Sequence, residues 1–309
     1  RLAAAELPFA EVSDLELRRE GKSYTAETVR ELRRRYPESE LWLLMGTDMF
    51  LSFDHWREPE VIAANCGIAM AHRRSSPPAE QTALRAQKAR LESRCHARIR
   101  VLENDILEVS SSSVRKLLLY RAGSSLLPCA VFREILDKGL YRTGGLLKNL
   151  PFVRLKEESL LRHKEKRRAH AIGCCETAQA LARRWGEDPE TAARAGILHD
   201  VTKLLSGSEQ LILCEEYGIL VDDFSRENPS LLHAVTGAAV AQRLFGESET
   251  VCNAIRWHTT GRAGMTMLQK IIYLADMIEP TRDYPGVEEL RQLAMEDLNK
   301  AVCCSLEST

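Results

Sequence analysis

Five histidines fall in the second half of this 309-residue chain, His163, His170, His199, His233 and His258, and with Asp200 and Asp276 they are of the types that hold metal ions. His170 shares a helical face with Cys174, Thr177 and Leu181, a stripe small enough to admit another helix. His199 and Asp200 come late in a segment rich in Ala, Ile and Leu, with Lys203 one turn beyond His199. His233 opens a segment whose near face is Gly237 and Ala238, and His258 closes one in Trp257-His258-Thr259-Thr260-Gly261. Asp276 stands in the almost wholly apolar run Ile271-Ile272-Tyr273-Leu274-Ala275-Asp276-Met277-Ile278. An ionised carboxylate buried there without a partner costs several kcal/mol, so it needs a cation or strong donors.

Taken singly, each residue has a plainer role. One buried imidazole is ordinarily a satisfied core residue, and Cys174 reads as a small buried core residue rather than a ligand. His163, between Arg162 and Lys164, reads as solvated. The set decides otherwise. Imidazoles and carboxylates on successive helices suit iron, manganese or zinc. The six candidate ligands, His170, His199, Asp200, His233, His258 and Asp276, exceed one tetrahedral site, and a carboxylate such as Asp200 can bridge two ions.

The elements that must position these groups are helical. Spacing predicts a helix over 163–185 closed by Gly186, and a second opened by the Asp188 cap with Pro189 in its first turn. Others follow at about 208–217, 231–245, 248–258, 265–279 and 287–303. The first half differs. Short apolar runs at 41–45, 67–71 and 99–102 read as strands with a helical stretch between each pair, which is α/β with a parallel sheet. Ser110 to Ser113 before Arg115 place hydroxyls, free N–H groups and a cation where a triphosphate could bind. The expected organisation is an α/β domain over 1–143, a linker over 144–151 with Gly144, Gly145 and Pro151, and an all-α domain over 152–309.

Residues 152 to about 303 resemble the HD-domain phosphohydrolases, in the bacterial branch that cleaves diadenosine tetraphosphate symmetrically into two ADP. The resemblance rests on Arg167-Arg168-Ala169-His170, Leu198-His199-Asp200-Val201-Thr202-Lys203, His233-Ala234-Val235-Thr236-Gly237, His258-Thr259-Thr260-Gly261-Arg262 and Leu274-Ala275-Asp276-Met277-Ile278-Glu279-Pro280. It implies one iron-like ion on His170, His199, Asp200 and Asp276 and a second on His233 and His258, with Asp200 between them. Asp200 and Lys203 would then serve catalysis. Arg167, Lys203, Thr259, Thr260, Arg262 and Arg282 would contact a dinucleoside polyphosphate. A non-catalytic nucleotide sensor is the alternative, and other HD substrates (deoxynucleotides, guanosine tetraphosphate, cyclic dinucleotides) stay open because metal ligands do not select a base.

Residues 1 to about 143 resemble a bacterial nicotinate-nucleotide adenylyltransferase. The matching runs are Gly21-Lys22-Ser23-Tyr24-Thr25, Met45-Gly46-Thr47-Asp48, Phe53-Asp54-His55-Trp56-Arg57 and Val109-Ser110-Ser111-Ser112-Ser113-Val114-Arg115. By that resemblance Thr25 and Trp56 flank a pyridine nucleotide, and Ser110, Ser111 and Arg115 meet ATP. The family opens with Gly-x-Phe-x-Pro-x-His-x-Gly-His. Nothing in this sequence matches it, and residue 1 is Arg, so the expectation is a domain short of its N-terminal part, with an open sheet edge and little adenylyltransferase activity. The other reading is a bifunctional parent that makes the NAD precursor through this half.

Composition narrows the classes. A formal net charge of -1 removes the bulk electrostatic case for nucleic-acid binding. Apolar content of 44% and charged content of 28% describe a folded globular chain, and no apolar run reaches the ~18–20 residues that span a membrane. Nine cysteines with no Cys-x-x-Cys spacing read as reduced thiols of a cytoplasmic protein. A homodimer is compatible with all of this.

Overall fold

A computed structural model of the chain describes residues 1–72, 77–106 and 109–307. The chain divides after Ser110 into two compact units. In the first, α1 (Thr25–Arg35) buries Ala26 and Val29 and leaves Arg30, Arg34 and Arg35 exposed. Strand β1 (Trp42–Gly46), α2 (Thr47–Leu51), α3 (Pro59–Asn65), β2 (Gly67–Ala71), α4 (Pro78–Cys95) and β3 (Ile99–Leu102) follow. The strands form a three-stranded parallel sheet in the order β1-β2-β3, with Trp42 opposite Gly67 and Ile68 opposite Ile99. Helical crossovers let parallel strands lie side by side, and the expected α/β class holds. Phe50, Phe53, Ile62, Ile68 and Leu91 fill the core of this unit.

The second unit is helical: α5 (Ser111–Leu118), α6 (Cys129–Asp137), α7 (Phe152–Leu160), α8 (Glu165–Trp185), α9 (Pro189–Leu198), α10 (Gly207–Glu216), α11 (Asp223–Glu227), α12 (Leu232–Val240), α13 (Glu249–Arg256), α14 (Met267–Ile278), α15 (Val287–Glu296) and α16 (Leu298–Glu307). Local chemistry sets the ends. Gly186 closes α8 at φ 79, and Asp188 caps α9 by accepting from the Thr191 N–H at 2.7 Å. Helices α8 and α9 approach closely because residue 196 is Gly: a Cβ there would stand 2.9 Å from the Cys175 Cα. Two expected helices differ in detail. The run 231–245 ends in a wider π-helical turn at Ala241–Phe245. The run 287–303 breaks at Asp297, whose extended backbone ends α15 while its carboxylate accepts from the Lys300 N–H and starts α16.

The division at Ser110 lies ahead of the expected linker at 144–151. Leu117, Tyr120, Ala122 and Leu147 belong to the same apolar core as Leu155, Ala171, Leu198 and Val201. The Tyr120 hydroxyl donates to the Val201 carbonyl at 2.8 Å, and Lys116 pairs with buried Glu209 at 3.0 Å.

Candidate metal centre

Five segments deliver the six expected ligands to one buried point. His170 comes from the second turn of α8, His199 and Asp200 from the end of α9, His233 from the start of α12, His258 from the turn after α13, and Asp276 from the last turn and a half of α14. Each imidazole is tethered at Nδ1. His199 Nδ1 lies 2.7 Å from the Gly196 carbonyl, His233 Nδ1 2.5 Å from that of Ser230, and His258 Nδ1 2.6 Å from that of Ile255. His170 Nδ1 lies 3.0 Å from Glu279 Oε1. These acceptors hold the ring proton on Nδ1 and leave Nε2 for a ligand.

All four Nε2 atoms face Asp200. Its Oδ2 is 3.5 Å from His199 Nε2 and 3.7 Å from His170 Nε2. Its Oδ1 is 3.2 Å from His233 Nε2 and 3.7 Å from His258 Nε2. Asp276 Oδ1 joins the first group, 3.2 Å from His170 Nε2 and 3.9 Å from His199 Nε2. The Nε2 atoms of His170 and His199 are 3.2 Å apart, as are those of His233 and His258. Two imidazole lone pairs at that spacing repel unless a proton or cation lies between them. Donors ~2.1 Å from a common ion stand about 3.0–3.4 Å apart, so both pairs fit a metal. His170, Cys174, His199 and Asp276 form one donor group that could hold an ion, and His199, Asp200 and His258 another.

Electrostatics agree. Burial works against charge on Asp200, but His199, His258 and His233 outweigh it and hold the carboxyl well below the usual range. Asp276 is held low in the same way, against burial, by His170 and His199. Burial opposes a charged His170, yet Asp276 and Cys174 push it up to about 9. Burial and then the His258 ring push His233 down to about 3. The two carboxylates are therefore held ionised among the imidazoles.

The other expected residues divide. Arg167 bonds Asp200 directly, and Arg282 donates from Nη2 to Asp276 Oδ1 at 2.5 Å, so each guanidinium rests on a candidate ligand carboxylate. Lys203 Nζ is 3.1 Å from Nε2 of the His233 ring, and burial pulls its pKa down. Thr259 Oγ1 lies 3.1 Å from His258 Nε2, but the Thr260 hydroxyl donates to the Gly261 carbonyl and Arg262 lies exposed over the Trp257 ring. His163, expected in solvent, is buried beside buried Arg162, because the chain turns between α7 and α8 and tucks both residues under. The Nδ1–H of His163 is directed at the Ser159 carbonyl, 2.8 Å away, while its Nε2 has no partner.

Glu279 has a role that spacing did not reveal. It is fully buried, accepts from the Thr281 N–H at 2.8 Å, and orients His170. Gly173 makes room for it, since a Cβ there would meet Glu279 Oε2 at 2.5 Å. The available signal was a carboxylate three residues after Asp276, ending the same apolar helix.

In the first unit, Thr25 and Trp56 line one cleft of about 280 Å³ with Ser23, Tyr24, Arg57 and Ile62. Ser110 ends that unit, whereas Ser111 and Arg115 lie on α5 in the second, where Arg115 faces the Tyr141 ring. Among the described residues no helix is long and apolar enough to cross a membrane.

Residues 167–281 match the HD domain. The chain is 45% identical over 148 residues to "Bis(5'-nucleosyl)-tetraphosphatase, symmetrical" of Bacillus subtilis, covering 47% of this chain and 78% of that protein. It is 27% identical over 99% of its length to a Mycoplasma pneumoniae protein named "Probable nicotinate-nucleotide adenylyltransferase/Ap4A hydrolase", of which it covers 82%. A crystal structure from Clostridium acetobutylicum, described as a "predicted HD superfamily hydrolase involved in NAD metabolism", matches 52% of this chain and 85% of its own with 41% identity and a TM-score of 0.50. With such identity over most of the B. subtilis protein, the chain belongs to the HD-domain hydrolases, in the family of the bacterial symmetrical bis(5'-nucleosyl)-tetraphosphatases.

Proposed function

We propose that the helical unit hydrolyses diadenosine tetraphosphate to two ADP at a centre of two transition ions, iron in the first instance, in the cytoplasm. The observation that carries this reading is Asp200, buried, with one oxygen toward each histidine pair. His170, His199, Asp276 and one Asp200 oxygen would hold the first ion, and His233, His258 and the other Asp200 oxygen the second. Bound there, such ions supply Lewis acidity, acidifying water toward hydroxide and neutralising polyphosphate oxygens.

The chain's own groups set the rest. Glu279 and three backbone carbonyls fix the ring protons away from the centre, so no imidazole turns its lone pair aside. Arg167 and Arg282 already rest on ligand carboxylates and present further N–H donors to a phosphate chain. Lys203 adds a cation beside His233, and Thr259 a hydroxyl beside His258. Thr260 and Arg262 would serve the substrate from the rim of the site.

Incubation with diadenosine tetraphosphate and chromatography of the products tests the reading. ADP is expected as the sole nucleotide. AMP plus ATP would overturn the symmetrical assignment.

A second reading concerns the α/β unit. The cleft lined by Thr25 and Trp56 favours a site for nicotinate mononucleotide. Calorimetry with nicotinate mononucleotide should show binding to the wild type that Trp56→Ala loses, and no binding by the wild type would refute this.

A further inference from the structure

The geometry assigns Cys174 as a sulfur donor to the ion of His170, His199 and Asp276, an inference that rests on the metal reading and adds a ligand to it. Cys174 lies one turn after His170 on α8, which puts its Sγ 3.7 Å from His170 Nε2. Its sulfur and the donor atoms of His170, His199 and Asp276 all lie within 4.8 Å of one another. A thiolate ~2.3 Å and an imidazole nitrogen ~2.1 Å from one ion at the tetrahedral angle stand ~3.6 Å apart, close to the observed spacing. The side chain is shut off from solvent, with 1% exposure, so no bulk water competes for the position.

The neighbouring residue is an internal control. Cys175, next along the same helix, packs in the apolar core with Ala171 and Ala178 and, among the described residues, belongs to neither candidate donor group. Among the described residues Cys174 is the cysteine whose sulfur joins a candidate donor group. As the thiol it is 3.6 Å from the Ala275 carbonyl, a weak contact that coordination replaces. The balance is simple: a sulfur–metal bond forms, the thiol proton passes to solvent, and nothing is oxidised or reduced.

The consequence is that the two ions meet different chemistry. The first would have nitrogen, oxygen and sulfur donors, and the second only nitrogen and oxygen. Sulfur favours softer ions such as zinc over manganese at the first position.

The test uses the full chain, stripped with a chelator and reloaded with cobalt(II) as the sole metal. Wild type and Cys175→Ala are expected to show a thiolate-to-cobalt charge-transfer band in the near ultraviolet, and Cys174→Ala and Cys174→Ser to lack it while still holding two ions. Competition between zinc and manganese should shift at least tenfold toward manganese in both Cys174 variants. If Cys174→Ala does not fold, the near-isosteric Cys174→Ser carries the comparison. Two bound cobalt ions with no sulfur band in the wild type would overturn the assignment and leave the metal reading standing. A chain that takes up no cobalt would overturn both.

Discussion

Asp200 carries the proposed centre because its Oδ2 faces His170 and His199 while its Oδ1 faces His233 and His258. Its removal therefore differs in kind from removal of one histidine. Asp200→Ala should lose both ions, whereas His258→Ala should lose about one, read as metal per chain by elemental analysis. Two ions retained in Asp200→Ala would mean that the carboxylate does not bridge. All six candidate ligands were legible in the sequence as a set, because imidazoles and carboxylates on successive apolar helices suit a metal and a carboxylate such as Asp276 must be compensated there. Glu279 was not, because it earns its place through His170, which lies 109 residues away. Arg167 and Arg282 were legible as cations but not in their contact, since spacing along a helix does not say which anion a long side chain reaches.

Helix ends set by caps and glycine were legible in the sequence, as Asp188 and Gly186 show at either side of the α8–α9 turn. The connection between α7 and α8 was not. Its sequence, Arg162-His163-Lys164, is polar, yet Arg162 is 1% exposed and bonds the Leu119 carbonyl at 2.9 Å. Burial chiefly pushes His163 down to about 4 from an ordinary 6.5. A base whose folded pKa is depressed costs nothing above 6.5, where both states are neutral. Below that the unfolded chain gains a proton that the folded chain refuses, so stability falls from pH 6.5 to about 4. The shift is worth roughly 3 kcal/mol by pH 4.5. Urea unfolding of wild type at pH 7 and pH 4.5 should show that loss beyond what His163→Gln shows over the same interval. Parallel pH profiles for the two proteins would contradict a neutral buried ring.

Where one unit ends and the next begins was the least legible feature, because the run Leu117-Leu118-Leu119-Tyr120 is apolar enough to fill either core. The contacts settle its place in the helical unit. Tyr120 is fully buried, donates to the Val201 carbonyl, and accepts from the Tyr217 hydroxyl at 2.7 Å. Val201 directly follows Asp200, so this hydrogen bond braces the backbone that presents the Asp200 carboxylate. Glu209, 3% exposed, depends on Lys116, and Glu216 accepts from the Gly123 N–H at 2.8 Å. Loss of a buried aromatic side chain typically costs about 3–5 kcal/mol, and an orphaned buried carbonyl about 1–3 more. Total stabilities of about 5–15 kcal/mol leave little after that. Residues 111–309 expressed alone should fold and hold two ions. Residues 144–309 should unfold at markedly lower urea and bind metal poorly. Equal urea midpoints and equal metal content for the two fragments would show that residues 111–143 are dispensable to the centre.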